Sequence, residues 1–220
     1  MAKAVITGDI IHSTRMDSRV RNTLFNQIAE ALDIWGKSFN MRSETFRGDS
    51  FQTLVDKPAD ALRIALIQKT YIRSLSLSYA QPNPMFKLIT PYRTVDARIA
   101  IGIGSTDLLT KRLATSGGNA FLYSGKLLDK IKSKKQALAI ETDDAYKDEL
   151  ETESILLDAI LSKTTPQQCE VINLKLLGYT EVEIADRIKI IQSAVNQRSV
   201  SGNWNAIEAM VKRFEKIYGK

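Results

Sequence analysis

The stretch Ala4-Val5-Ile6-Thr7-Gly8-Asp9-Ile10-Ile11 places one carboxylate inside an otherwise apolar run. The run predicts a buried β-strand, in which a charged side chain needs a hydrogen bond, a cation or a metal to offset its loss of water. A second Gly-Asp pair, Gly48-Asp49, separates two short strand candidates and is typical of a hairpin turn. If the two segments are neighbouring strands, the carboxylates of Asp9 and Asp49 lie close enough to hold a divalent metal between them.

Strand and helix patterns alternate through the first part of the chain. Strand candidates lie at 4–11, 42–47, 50–55, 95–103 and 136–141, and helical spacing covers 18–39, 58–77 and 118–131. This order predicts an α+β fold with a ferredoxin-like, palm-type βαββαβ core, in which the hairpin lies beside the first strand. Residues 79–94 hold three of the five prolines and predict an irregular segment.

The last part of the chain has a purely helical pattern. Thr165 and Thr180 are candidate helix N-caps, and Gly178 is a candidate helix stop. A turn at 189–191 precedes another helix that begins near Gln192. We therefore expect two domains, a palm-like domain over 1–145 and an all-α domain over 146–220.

The all-α part carries two short motifs in tandem, Glu183-Ile184-Ala185 and Ser193-Ala194-Val195. Their spacing resembles the helix-turn-helix of sigma-factor region 4 and of LuxR-type regulators. The resemblance implies that the second helix binds DNA, because amide, hydroxyl and guanidinium groups suit base edges and phosphates. The candidate DNA-binding residues are Gln192, Ser193, Asn196, Gln197 and Arg198. The alternative is a plain three-helix bundle that docks another protein.

Charge is unevenly distributed along a chain whose formal net charge is +6. Residues 187–220 contain seven basic and two acidic side chains, and residues 111–135 contain seven basic and one acidic. Such clusters suit phosphate-rich partners, although a solvated helix face gives the same pattern. An apolar stripe on the last helix, from Trp204 to Ile217, indicates either core or the interface of a homodimer.

Several segments of the first domain match a known pattern. They are 7–13 (TGDIIHS), 46–52 (FRGDSFQ), 97–104 (ARIAIGIG) and 118–121 (GNAF). These segments resemble the palm-like domains of class III nucleotidyl cyclases and GGDEF-type synthases. With the helical part included, nearly the whole chain resembles the SatD family, small bacterial proteins with this two-part layout.

The resemblance implies a metal site and a nucleotide site. The metal ligands would be Asp9, the backbone carbonyl of Ile10 and Asp49, which are hard oxygen donors suited to Mg²⁺ or Mn²⁺. The implied nucleotide-binding residues are Ile11, His12, Ser13, Thr14, Arg47, Gly48 and Lys126.

One departure from the cyclase pattern concerns catalysis. Cyclases carry an Asn and an Arg four residues apart on the helix after the fourth strand, where this chain has Leu122 and Lys126. Leu cannot donate a hydrogen bond, and Lys lacks the forked geometry of Arg. We therefore expect a DNA-binding transcriptional regulator with a non-catalytic, nucleotide- and metal-sensing first domain. The alternatives are a metal-dependent cyclase or nucleotidyltransferase that uses Asp9 and Asp49, and a purely structural pair of carboxylates.

Composition excludes several other classes of protein. No apolar stretch reaches the length of about 18 residues that a membrane span needs. The single cysteine, Cys169, excludes an internal disulfide framework and a cysteine-rich zinc site, and we expect it to be a small buried hydrophobe. The sequence runs directly into a strand without a signal peptide, so we expect a cytoplasmic protein. His12 is the only histidine, and a lone histidine is more often structural or exposed than a ligand.

Overall fold

A computed structural model describes residues 2–46, 48–75 and 94–219. This part of the chain forms a five-stranded sheet and eight α-helices. The strands are β1 (Lys3–Ile10), β2 (Met41–Phe46), β3 (Ser50–Val55), β4 (Ala97–Gly104) and β5 (Leu138–Glu141). The helices are α1 (Ser18–Phe39), α2 (Ala61–Ser74), α3 (Asn119–Ser133), α4 (Lys147–Ser162), α5 (Pro166–Leu176), α6 (Glu181–Ile188), α7 (Gln192–Ser201) and α8 (Trp204–Tyr218). The segment predicted to be irregular, 79–94, lies outside the described residues except for residue 94.

The sheet has the order β2-β3-β1-β4-β5. The pairs β2–β3, β3–β1 and β1–β4 are antiparallel, and β5 joins β4 in parallel. The first four strands, with α1 and α2, form the predicted ferredoxin-like βαββαβ arrangement. Gly48 closes the β2–β3 hairpin with φ of +70°, a backbone conformation that glycine adopts without strain. The prediction that this hairpin lies beside β1 is therefore confirmed.

The two faces of the sheet are covered by different elements. Ile6, Ile99 and Ile101 point to the face that shares its hydrophobic core with α1 and α2. The other face packs against α3, where Ala100 contacts an apolar cluster that includes Leu128. Alternation along β1 places Asp9 on this second face, two residues beyond Thr7, whose hydroxyl bonds Ser124 on α3 at 2.9 Å. The Asp9 carboxylate is therefore aimed toward α3.

The starts of α5 and α6 follow from capping residues that the sequence makes visible. Thr165 and Thr180 each form a capping box with the residue three positions on, at the starts of α5 and α6. Gly178 adopts φ of +94° after α5, as a helix stop requires. None of the described helices combines the length and the apolar character needed to cross a membrane.

The C-terminal helices pack directly on the sheet unit. The Asn173 amide on α5 donates to the Ile67 carbonyl on α2 at 2.7 Å and to the Thr70 hydroxyl at 3.1 Å. Ile172 and Phe214 belong to the same hydrophobic cluster as the core of the sheet. The apolar stripe of α8 is largely buried in this cluster, which fits the interpretation as core. Cys169 is also fully buried, as predicted.

A group of charged side chains is buried where α2 meets the start of β4. Lys69, whose side chain is 1% exposed, donates to the Asp96 carboxylate at 3.0 Å and to the Ala97 carbonyl at 2.8 Å. Arg73 pairs with the other oxygen of Asp96 and donates to the Thr164 carbonyl at 2.8 Å, just before α5. Asp96 thus connects the sheet, α2 and the beginning of the C-terminal helices.

Gly102 is required for the close approach of α3 to β4. A Cβ at this position would lie 2.3 Å from the Ala120 carbonyl oxygen and 2.5 Å from the Ser124 amide nitrogen, both backbone atoms. We expect Gly102→Ala to lower the free energy of unfolding by at least about 1–3 kcal/mol through overpacking. Gly125→Ala, in open space on the same helix, is the control and is expected to stabilise by about 0.4–1 kcal/mol. Urea unfolding measures both, and equal effects would contradict the close packing.

Asp96→Asn tests the buried charge group. The substitution leaves Lys69 and Arg73 buried with one carboxylate fewer, which is expected to cost about 3–5 kcal/mol of stability. The matched control is Asp56→Asn, which removes the partner of Lys3 at an exposed position and is expected to cost less than about 1 kcal/mol. Chemical denaturation of both variants compares them, and a similar small loss in each would show that Asp96 does not organise this region.

Candidate functional site

Asp9 lies near the end of β1, between the neighbouring strands β3 and β4. In the strand register Asp9 is opposite Ser50 of β3 and Arg98 of β4. The Asp9 side chain is 13% exposed, and its Oδ1 atom is buried without a hydrogen-bond partner among the described residues. Most buried polar atoms are hydrogen-bonded, so this oxygen is an exception in the sheet, with the Arg98 guanidinium as its nearest charged neighbour.

Two cations lie beside the Asp9 carboxylate. Arg98 Nη1 is 3.7 Å from Asp9 Oδ1, and Lys132 Nζ on α3 is 3.3 Å from Oδ2. Neither residue was identified from the sequence. The antiparallel register could have predicted Arg98, because it is the direct partner of Asp9, whereas Lys132 depends on the way α3 crosses the sheet. The charge of Asp9 is thus balanced within the chain.

Asp49 lies at the tip of the β2–β3 hairpin and is held by two hydroxyl groups. Ser13 Oγ donates to Asp49 Oδ2 at 3.0 Å, and Ser50 Oγ donates to Oδ1 at 3.2 Å. The Ile10 amide donates to the Asp49 carbonyl at 2.8 Å, but the Asp49 amide donates to the Phe46 carbonyl and not to the Ile10 carbonyl. The Ile10 carbonyl therefore does not accept the second hydrogen bond of this strand pair. The strand pairing thus places the backbones of Asp9, Ile10 and Asp49 at the same end of the sheet, while the Asp9 and Asp49 carboxylates each have their own partners.

The segment after β1 contains four of the predicted nucleotide-binding residues, in different environments. The Ile11 amide already donates to the Asp96 carbonyl at 2.9 Å, so it is not oriented toward a phosphate. Ser13 is buried and donates a hydrogen bond to Asp49, whereas Thr14 is exposed. His12 is exposed and left-handed with φ of 61°. Only part of this segment is thus placed to contact a ligand.

The electrostatic environment of this segment is positive. Burial and the nearby charges of Arg15 and Arg98 lower the pKa of the His12 imidazole. A histidine with a lowered pKa is neutral at pH 7, so the positive charge beside Asp9 comes from arginine and lysine side chains.

The other predicted nucleotide-binding residues are scattered. Gly48 is at the hairpin tip beside Asp49, and Arg47 lies outside the described residues. Lys126 is exposed on α3 and makes no ion pair with Asp9, whereas Lys132, at the end of the same helix, does. Leu122 is also on the outer surface of α3, with 47% of the residue exposed.

The donor set at Asp9 and Asp49 fits a divalent metal in its chemistry. Two carboxylates and a carbonyl are the oxygen ligands that Mg²⁺ and Mn²⁺ prefer, and Asp9 Oδ1 lacks a hydrogen bond. Among the described residues, at this end of the sheet as elsewhere, there is no cluster of three or more His, Cys, Asp or Glu side chains of the kind that holds a metal. A metal at this end of the sheet would therefore also need ligand atoms from water or from another bound molecule.

A second candidate site is the exposed face of α7. Gln192, Ser193, Asn196 and Gln197 are exposed, while Val195 and Ser199 are buried on the opposite face. Val195 packs with Val171 on α5 and with Ile184 and Ala185 on α6. Arg198 is half-buried, and its Nη1 lies 3.5 Å from Glu170 Oε2. The predicted DNA-binding residues thus share one surface, but Arg198 is partly engaged within the chain.

Comparisons with known proteins identify structural neighbours of the sheet unit. No protein-family model and no curated protein matches the chain. A bacterial light-regulated adenylyl cyclase is 17% identical with a TM-score of 0.45, over 64% of this chain and 75% of that chain. The dimeric guanylyl cyclase domain of the RhoGC fusion protein from the aquatic fungus Blastocladiella emersonii is 14% identical with a TM-score of 0.43, over 58% and 73% of the two chains.

A third neighbour is the guanylate cyclase domain of RhGC from Catenaria anguillulae, solved in complex with GTP. It is 17% identical with a TM-score of 0.43, over 66% of this chain and 80% of that one. At these values the likeness concerns the fold alone, so the function of this chain has to be inferred from its own residues. The neighbours are nucleotidyl cyclase domains.

Proposed function

We propose that this chain is a DNA-binding regulator with two domains, 1–145 and 146–220, and that the first senses a nucleotide together with Mg²⁺ or Mn²⁺. The exposed face of α7 carries the proposal, because four side chains suited to base edges lie together on it without partners on neighbouring helices. The proposal keeps the layout that the resemblance to the SatD family implies.

The geometry of α6 and α7 supports a helix-turn-helix. Residues 189–191 separate the two helices, a length typical of this motif, and Lys189 turns the chain with φ of 57°. Ala185 and Val195 pack at the contact between the helices, leaving the polar face of α7 outward. Arg187 and Lys189 are exposed near the beginning of α7, where cations favour DNA phosphates. We assign the recognition role to α7 and a supporting role to α6.

The pairing of the hairpin with β1, which places Asp49 beside the end of the strand that carries Asp9 and Ile10, supports a nucleotide-sensing role for the first domain. A bound Mg²⁺ or Mn²⁺ at these oxygen atoms would bridge to phosphate oxygens of a nucleotide. Arg98 and Lys132 lie next to the same carboxylate and provide positive charge for the phosphates. Ser13 holds Asp49 in place through its hydroxyl group.

The alternative is an enzyme, a metal-dependent cyclase or nucleotidyltransferase, in which the helical part binds a partner. The two adjacent carboxylates favour this alternative as much as they favour a sensor. Leu122 and Lys126 count against it, because they replace the Asn and Arg of the cyclase pattern and lie on the outer surface of α3. Binding without turnover therefore explains the residues better.

Metal-dependent nucleotide binding is expected to raise the melting temperature of the full chain. A nucleoside triphosphate with Mg²⁺ or Mn²⁺, at 100 times its Kd, should add about 2.7 kcal/mol of stability. Asp9→Asn should abolish this effect, and Asp33→Asn, at an exposed position on α1, should leave it unchanged. A thermal-shift screen of the four triphosphates with metal or with EDTA measures it. Equal stabilisation in EDTA would contradict the metal site, and pyrophosphate release that is abolished by Asp49→Asn would favour the enzyme.

DNA binding is expected to depend on the polar face of α7. Asn196→Ala should weaken binding to a duplex that the wild-type protein selects from a random pool, by about 1–3 kcal/mol, because it removes a donor–acceptor pair at a base edge. Asn205→Ala makes the same change at an exposed position on α8 and should have little effect. Fluorescence anisotropy at several salt concentrations measures both variants. Failure to select any sequence, or equal losses in the two variants, would support the protein-docking bundle.

A further inference from the structure

We infer that Lys132 is an internal cation that competes with a divalent metal for Asp9, so that the site takes a metal bound to a polyphosphate in preference to the metal alone. This inference rests on the proposed nucleotide site and concerns its selectivity. Its basis is the position of Lys132 Nζ, 3.3 Å from Asp9 Oδ2. A metal that coordinates Asp9 through this oxygen meets the charge of the ammonium group at short range, and the repulsion between the two cations favours displacement of Lys132.

The charges at this end of the sheet make a bare metal ion a poor ligand. Asp9 and Asp49 contribute two negative charges, and Arg98 and Lys132 contribute two positive charges next to Asp9. The four side chains therefore sum to zero, so a free divalent ion meets little net attraction. A nucleoside polyphosphate changes this balance, since its phosphates supply negative charge to both the metal and the released cations.

The Lys132 ammonium group has a second carboxylate within reach when it leaves Asp9. Its Nζ lies 3.6 Å from Asp129 Oδ1, one turn earlier on α3, and the Lys132 side chain is 44% exposed. The ammonium group can therefore move to Asp129 or to a phosphate without any change in the backbone. Arg98 is less free, because its side chain is 22% exposed, half the exposed fraction of Lys132. Lys132 is thus the exchangeable member of the pair and Arg98 the permanent one.

The site accordingly couples the binding of metal and polyphosphate. Each ligand contributes part of the free energy that displaces Lys132, so the binding of one increases the affinity of the site for the other, as thermodynamic linkage requires. Removing the ammonium group should raise the affinity for metal alone and reduce the coupling. The same change should weaken the contribution of the site to phosphate binding.

The experiment compares Mn²⁺ binding by the full chain in three forms, wild type, Lys132→Met and Lys130→Met. Lys130 is exposed on the same helix and carries the same charge, so it controls for the loss of net charge. Electron paramagnetic resonance of free Mn²⁺ measures the affinity directly, without reference to any activity. We expect Lys132→Met to bind Mn²⁺ alone about tenfold more tightly than the wild type, and Lys130→Met to stay within about twofold.

The second titration adds the nucleoside triphosphate that stabilises the wild type most. It should increase the Mn²⁺ affinity of the wild type and of Lys130→Met by a larger factor than that of Lys132→Met. Equal Mn²⁺ affinities in the two lysine variants would overturn the inference about Lys132. The proposed site would still stand in that case if binding by the wild type depends on Asp9. Mn²⁺ and nucleotide binding that Asp9→Asn does not change, or no binding by any form, would overturn both.

Discussion

The partly buried carboxylate of Asp96, with its two cationic partners, is the interaction on which the arrangement of this molecule depends. One oxygen of Asp96 accepts from Lys69 and the other accepts from Arg73. Lys69 also donates to the Ala97 carbonyl, and Arg73 donates to the Thr164 carbonyl. Taking one carboxylate and two cations out of water is costly unless the remaining donors are bonded. These carbonyls bond Lys69 Nζ and Arg73 Nη2, whereas Arg73 Nε is buried without a partner among the described residues. The group is therefore stable only when β4, α2 and the segment before α5 are together.

This requirement links the sheet end with the C-terminal helices. The Asp96 carbonyl accepts a hydrogen bond from Ile11, immediately after β1, and Arg98 follows two residues later on β4. The surroundings of Asp96 also include Asp158 on α4, whose pKa is raised by burial. A chain of direct contacts thus runs from the end of β1, through Asp96 and Arg73, to the Thr164 carbonyl before α5.

Local sequence signals predicted most of the fold and only part of the site. Helix α1 and the start of α7 were predicted at their observed residues, because periodicity and the turn at 189–191 are local. The position of the hairpin beside β1 also followed, since it needs only the βαββαβ order and the Gly48 turn. Lys132 was missed, because its contact depends on the angle at which α3 crosses the sheet, and no local pattern encodes that angle.

The paired cations also change how the Asp9 carboxylate should be understood. In the sequence it is an uncompensated charge in a buried strand, for which a metal is one of several remedies. In the structure Arg98 and Lys132 already supply the compensation, and the buried Oδ1 lacks a hydrogen bond among the described residues. A ligand that binds there therefore changes an existing balance of charges within the chain.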